Sequence, residues 1–179
     1  MLRKFPGGIL ERSETNRYAT TIHVLVSAVM KLSASDPHLE LGSWLYRGLG
    51  CPELPPGFDQ IKTDKGEGFV EFGFMSTSRN LEVAVDYSGV SDGNAVATVL
   101  RMDVSSVDRG ASVKTFSQYP DEEEFIWVPM SFVQGLGSRP VLQSTPRGLV
   151  SVVSVKTNAN LKGELVEELR QRRKRLCEE

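Results

Sequence analysis

The chain has 179 residues, of which 40% are hydrophobic and 25% charged, with a formal net charge of -2. That length suits one domain able to bury roughly two thirds of the surface its unfolded form exposes, so folding requires neither metal nor disulfide. The near-neutral charge gives no general attraction to nucleic acid or acidic membranes.

Cys51 and Cys177 are the only cysteines and lie far apart, and His23 and His38 are the only histidines. These counts argue against a disulfide framework, a structural zinc site and histidine-based catalysis, and they favour a reducing compartment. No apolar run reaches the length of a membrane span, and Met1 to Gly8 lacks the hydrophobic segment of a secretory signal. The expected location is inside a cell, in the cytoplasm or as a delivered effector. The basic run near the C-terminus leaves the nucleus open.

In chain order, Ser13 to Leu32 carries apolar residues at Tyr18, Ile22, Leu25, Val26, Val29 and Leu32, and Asp36-Pro37 closes the pattern. This spacing predicts an amphipathic helix covering a sheet, with His23 as a packed or half-exposed helix residue. We take residues 1–42 as a helical segment packing on the body of the protein. From Ser43 the character changes to short strand-like runs punctuated by Gly and Pro: SWLYRGLG, GFVEFGFMSTS, NAVATVLRMDV, EFIWVP and GLVSVVSVKT. They predict a largely antiparallel β domain over residues 43–157. One short helix interrupts it, running through Leu81 to Ser88 with Asn80 as N-cap and Leu81, Ala84 and Val85 turned inward. The loop Cys51 to Gly57 carries no functional signal. Residues 158–179 read as a C-terminal helix, Leu161 to Leu176, ending in the basic run Arg170 to Arg175. Those cations complement a helix dipole, and a further domain or an anionic partner is the other use for them.

The densest charge, Asp121-Glu122-Glu123-Glu124, runs directly into the apolar Phe125-Ile126-Trp127-Val128. Read as an extended strand, Glu122 and Glu124 share one face, while Asp121 and Glu123 share the other. Two carboxylates ~5.5 Å apart repel by roughly 3 kcal/mol at an effective dielectric near 20. A fold gains nothing from that pair unless a positive charge comes to sit beside it. A cationic substrate, or an oxocarbenium-like centre that develops during reaction, would supply one.

Two further motifs precede the acids: Leu45-Tyr46-Arg47-Gly48, and Phe74-Met75-Ser76-Thr77-Ser78 placed just before a helix. Taken singly they read as a surface arginine and as capping chemistry. In this order, with YPDEEEF third, the set resembles the R-S-E class of mono-ADP-ribosyltransferases, which are arginine-specific and toxin-like. The resemblance spans Trp44 to Pro129. It implies an α+β protein, an ADP-ribosyltransferase-like split β-sandwich with flanking N-terminal and C-terminal helices, whose cleft binds NAD as co-substrate without a metal.

Carried onto this chain, the resemblance implies that Arg47 contacts the NAD phosphates and that Gly48 offers its backbone to the nicotinamide amide. Ser76 would orient the catalytic glutamate, with Thr77 and Ser78 holding the strand end. Glu124 would hold the nicotinamide-ribose hydroxyl and stabilise the ribosyl cation. Glu122 marks arginine-directed members, and Tyr119 matches an aromatic of the substrate-recognition loop. Asp121-x-Glu123 has the same spacing, so the register is formally ambiguous. Glu122-x-Glu124 is preferred because the catalytic glutamate directly precedes the apolar strand. Where this chain has Arg47, the poly-ADP-ribosylating class has histidine.

The implied activity is transfer of ADP-ribose from NAD to an acceptor protein with an exposed arginine. The alternatives are an NAD glycohydrolase, a silent NAD-binding or interaction module, and a β domain that binds acidic partners through its basic end.

Overall fold

The computed structural model describes residues 18–35, 42–50, 54, 58, 68–90, 96–105 and 109–158. The loop at Cys51 to Gly57, apart from Leu54, and the expected C-terminal helix with its basic run lie outside the described residues. Helix α1 (Ala19–Ser35) leads into β1 (Trp44–Leu49), β2 (Gly68–Glu71), β3 (Met75–Ser78) and the short helix α2 (Leu81–Asp86). Then follow β4 (Ala97–Asp103), β5 (Ala111–Ser112), a 3-10 turn (Pro120–Glu122), β6 (Glu124–Trp127), β7 (Ser131–Gly135), β8 (Val141–Thr145) and β9 (Gly148–Asn158).

The strands run in the order β2-β7-β9-β4-β1-β3-β6-β5, with β8 paired to β9. Pairing is antiparallel except between β4 and β9. The junction of β1 with β3 is thin: a single pair, Tyr46↔Ser78, joins them, whereas β1 and β4 pair over their full length from Trp44↔Asp103 to Leu49↔Thr98. The sheet therefore parts at this seam into two leaves. Leu45, Leu49, Leu100, Met102, Val133, Val153 and Val155 from one leaf meet Met75, Phe125 and Trp127 from the other in one buried core. This is the split sandwich that the motif order implied.

Two satellite cores hold the helices. Ala84 and Val85 of α2 pack with Val90 on Val99, Val150 and Val152, on the outer face of β4 and β9. Asn80 caps α2 as expected, its side-chain oxygen accepting from the Glu82 N–H at 3.0 Å. Val29 of α1 packs with Ala111 and Val128 beside β5 and β6.

The face of α1 differs from the expected stripe. Ser27, Val29 and Ser33 are its buried residues, while Tyr18, Ile22 and Leu25 are exposed. Small side chains let the helix approach closely, and the Ser33 hydroxyl donates to the Arg109 carbonyl at 3.1 Å. The helix also runs past Leu32 to Ser35. The run GFVEFGFMSTS is two strands, β2 and β3, separated at Phe72–Phe74. Neither β5, β7 nor β8 was anticipated.

Gly48 shows why α2 sits where it does. A Cβ there would overlap the Ala84 carbonyl oxygen and stand 2.6 Å from the Ser88 nitrogen and 2.8 Å from the Tyr87 carbonyl carbon. Backbone, not flexible side chain, fills that space. Gly48→Ala is therefore expected to cost at least about 2 kcal/mol of stability, because strand and helix must move apart. Gly50, whose nearest such atom is 3.8 Å away, serves as the control. Gly50→Ala is expected to stay within about 0.5 kcal/mol by denaturant unfolding.

Candidate active site

Register brings the candidate residues together. Tyr46 pairs with Ser78, and Ser78 pairs with Glu124 while Ser76 pairs with Ile126. Alternation then sets Tyr46, Gly48, Ser76, Ser78 and Glu124 on one face of the seam. Phe125 and Trp127 take the opposite face and enter the core. Trp127 also anchors β3 to β6: its indole N–H donates to the Thr77 hydroxyl at 3.1 Å, and that hydroxyl donates to the Phe125 carbonyl at 2.9 Å.

The result is a cleft of ≈ 360 Å³, lined by Arg47, Gly48, Ser76, Tyr87, Glu122 and Glu124 among others. Its volume falls in the range of small-molecule sites. The Ser76 hydroxyl donates to Glu124 Oε1 at 2.5 Å, which fixes the carboxylate against the strand. Ser78 takes a different part: its hydroxyl donates to the Glu122 carbonyl at 2.6 Å and accepts from the Asn80 N–H at 2.9 Å. It thus ties the acid turn to the start of α2.

The acids themselves do not form an extended strand. Pro120 to Glu122 make a 3-10 turn, closed by the Glu122 N–H on the Tyr119 carbonyl at 3.1 Å and the Glu123 N–H on the Pro120 carbonyl at 3.3 Å. Glu123 then adopts a left-handed conformation, φ 46° and ψ 50°, and only Glu124 enters β6. The alternation expected of a strand is therefore replaced by a turn and a reversal, although Glu122 and Glu124 still reach the same cleft.

A left-handed glutamate costs about 1–2 kcal/mol. Contacts on the far side hold it: Lys114 donates to Glu123 Oε1 at 2.8 Å, and the Glu123 carbonyl accepts from the Arg79 N–H at 3.4 Å. Glu123 thus lines a second depression of ≈ 450 Å³ with Arg79, Lys114 and Phe116. Asp121 is exposed, and neither residue lines the first cleft. Of the four acids, Glu122 and Glu124 are the two that line the first cleft. Tyr119 is exposed at the start of the turn and does not line the cleft.

Arg47 is engaged in a way the sequence did not signal. Its Nη1 donates to the Ser76 carbonyl at 2.9 Å, and its Nη2 donates to Glu71 Oε2 at 3.2 Å. The guanidinium thereby bridges the two leaves beside the seam. Burial pushes its pKa below the ordinary value, and the adjacent Glu71 carboxylate partly offsets that. Contact with a pyrophosphate would use the remaining N–H groups or displace Glu71. A side chain at Gly48 would collide with the backbone of α2, and the same residue lines the cleft.

Sequence reasoning missed Glu71 and Tyr87. The Tyr87 hydroxyl donates to Glu122 Oε1 at 3.1 Å, and that bond is the first cause of a raised tyrosine pKa. Tyr87 lay inside the run expected to be helical, Leu81 to Ser88, whereas the helix ends at Asp86 with Tyr87 as its C-cap, and the turn that brings Glu122 to it was not legible.

Among solved structures, the chain is similar to ADP-ribosyltransferase HopU1 of Pseudomonas syringae pv. Tomato DC3000. The identity is 24%, over 86% of this chain and 61% of that one, with a TM-score of 0.50. The fold is that of an ADP-ribosyltransferase.

Plx2a, an ADP-ribosyltransferase toxin from Paenibacillus larvae, is 15% identical over 84% of this chain and 81% of that one, at a TM-score of 0.49. ADP-ribosyltransferase Vis, in complex with an inhibitor, is 19% identical over 70% and 52%, at 0.44. The chain spans less than two thirds of Vis and of HopU1. No protein-family model and no curated protein matches it. No described helix is long and apolar enough to cross a membrane.

The Glu123–Lys114 pair yields a titration test. The Lys114 hydrogen bond is the main cause holding the Glu123 carboxyl below its ordinary range, against a smaller upward push from burial. Because the folded-state value is lowered, the stability this carboxylate adds is present above the ordinary carboxylate range. It is lost as pH falls through the lowered value. Lys114→Gln should raise the Glu123 midpoint in a carbon-detected NMR titration and flatten that part of the acid stability profile.

Proposed function

We propose that the protein transfers ADP-ribose from NAD to an arginine of an acceptor protein and releases nicotinamide. The observation that carries this reading is the 2.5 Å bond from Ser76 to Glu124, beside Glu122 and Arg47 in the same cleft. A carboxylate fixed by a hydroxyl is preorganised to stabilise positive charge on a neighbouring ribose.

In the proposed reaction the bond between the ribose C1′ and the nicotinamide nitrogen breaks. Its electron pair leaves with neutral nicotinamide. Glu124 holds the ribose hydroxyl and faces the cation that develops at C1′. A guanidino nitrogen of the acceptor, anchored on Glu122, forms the new C–N bond and gives up a proton through that carboxylate. Arg47 supplies a forked, permanently charged donor for the pyrophosphate. NAD is a co-substrate here, and no step calls for a metal. The scarce, widely separated cysteines Cys51 and Cys177 support placing the action inside a cell, as an effector or an endogenous regulator.

The test is incubation with labelled NAD, with and without agmatine, following nicotinamide and adduct mass together. Wild type should form the agmatine adduct. Nicotinamide without adduct would mark a glycohydrolase, and neither product a silent module.

Glu124→Gln should lower nicotinamide release by about 100-fold or more while leaving the melting curve in place, and release within tenfold of wild type would remove Glu124 from its role. Glu122→Gln should lose agmatine modification to a far greater degree than NAD hydrolysis, because water needs no charged anchor. Glu123→Gln is the register control and should retain transfer. Arg47→Lys should weaken NAD binding by calorimetry although the charge is kept.

A further inference from the structure

Glu122 is held at two levels. Its backbone is pinned by the Ser78 hydroxyl on its carbonyl at 2.6 Å and by its own N–H on the Tyr119 carbonyl at 3.1 Å. That leaves the side-chain torsions, and here the Tyr87 hydroxyl donates to Oε1 at 3.1 Å. Oε2 takes no bond from the described residues, so it is the oxygen left to accept from an incoming guanidinium.

Tyr87 is itself firmly placed. It is the C-cap of α2, its N–H bonded to the Val83 carbonyl at 3.2 Å. The backbone at Tyr87 and Ser88 comes close enough to Gly48 that no Cβ fits between them. The next residue, Ser88, is fully buried and bonded through its hydroxyl to the Val85 carbonyl at 2.6 Å. The ring projects from this fixed point, 64% exposed, along the cleft wall. A phenol on a rigid post and a carboxylate on a pinned turn thus meet over the cleft.

We infer that Tyr87 is a positioning residue for Glu122, and that its hydroxyl sets how the ribosyl centre divides between a guanidinium and water. The inference rests on the transferase reading above and deepens it. By binding one carboxylate oxygen, the hydroxyl fixes the orientation of the other toward the acceptor. Without it the carboxylate rotates freely, and the acceptor loses its anchor more often than water loses access.

The test is Tyr87→Phe, which keeps the ring and its place in the cleft wall and removes the oxygen. The quantity read is agmatine adduct formed per nicotinamide released. A hydrogen bond to a charged group corresponds to about a tenfold effect or more, so the ratio should fall by about tenfold. The KM for agmatine should rise while the KM for NAD moves little. Tyr87→Leu should lower the ratio as well and, by removing the ring, raise the KM for NAD.

A ratio in Tyr87→Phe equal to that of wild type overturns the inference. So does a fall in which adduct and nicotinamide decline together, since Tyr87 would then act on NAD or on the fold. Wild type that forms no adduct at all overturns the transferase reading and this inference with it. That failure is distinguishable, because it is seen before any variant is compared.

Discussion

The ladder between β3 and β6 is the constraint on which the site depends. Its register sets Ser78 opposite Glu124 and Ser76 opposite Ile126, and so puts the serine hydroxyls and the carboxylate on one face. The 2.5 Å bond from Ser76 to Glu124 follows from that placement. On the reverse face the same ladder buries Phe125 and Trp127, so sliding it by one residue would expose the core and bury the acid. Burial of a tryptophan, worth several kcal/mol, thus enforces a geometry that surface carboxylates could not hold alone.

The seam beside that ladder explains the cleft. With one pair joining β1 to β3, the leaves separate, and their exposed polar groups need other partners. Arg47 supplies one of them, reaching from β1 to the Ser76 carbonyl while Glu71 balances its charge. Gly48, on the other face, lets α2 close the side of the opening. Adjacent residues of one short strand thus bridge the gap and form its wall. Opening and stiffening are joined in the same place, as a site that excludes rearrangement requires.

Much of this was legible in the sequence because strand signals flank each motif. Short strand-like runs placed Arg47 in a strand, Ser76 near a strand end and Glu124 at the edge of the apolar run, and Asn80 marked the start of α2. The acid turn was not legible. Nothing in Pro120 to Glu123 carries the glycine that a left-handed residue ordinarily needs, so the strand propensity of EFIW was extended backwards over residues that in fact turn. The pairing of Glu122 and Glu124 emerged on a wrong geometric premise. Glu71 and Tyr87 escaped because their roles depend on contacts 24 and 35 residues away. The face of α1 was misread because buried Ser27 and Ser33 give no hydropathic signal.

The central claim is that the cleft between the leaves, with Glu124 on one wall and Arg47 at the seam, receives NAD. The most direct measurement is a crystal structure of Glu124→Gln soaked with NAD, the substitution preventing turnover. The account predicts the nicotinamide ribose against residue 124 and the pyrophosphate on Arg47, with Glu71 displaced or the remaining guanidinium N–H groups engaged. NAD seated elsewhere, in the depression beside Lys114 and Phe116 for example, would contradict it.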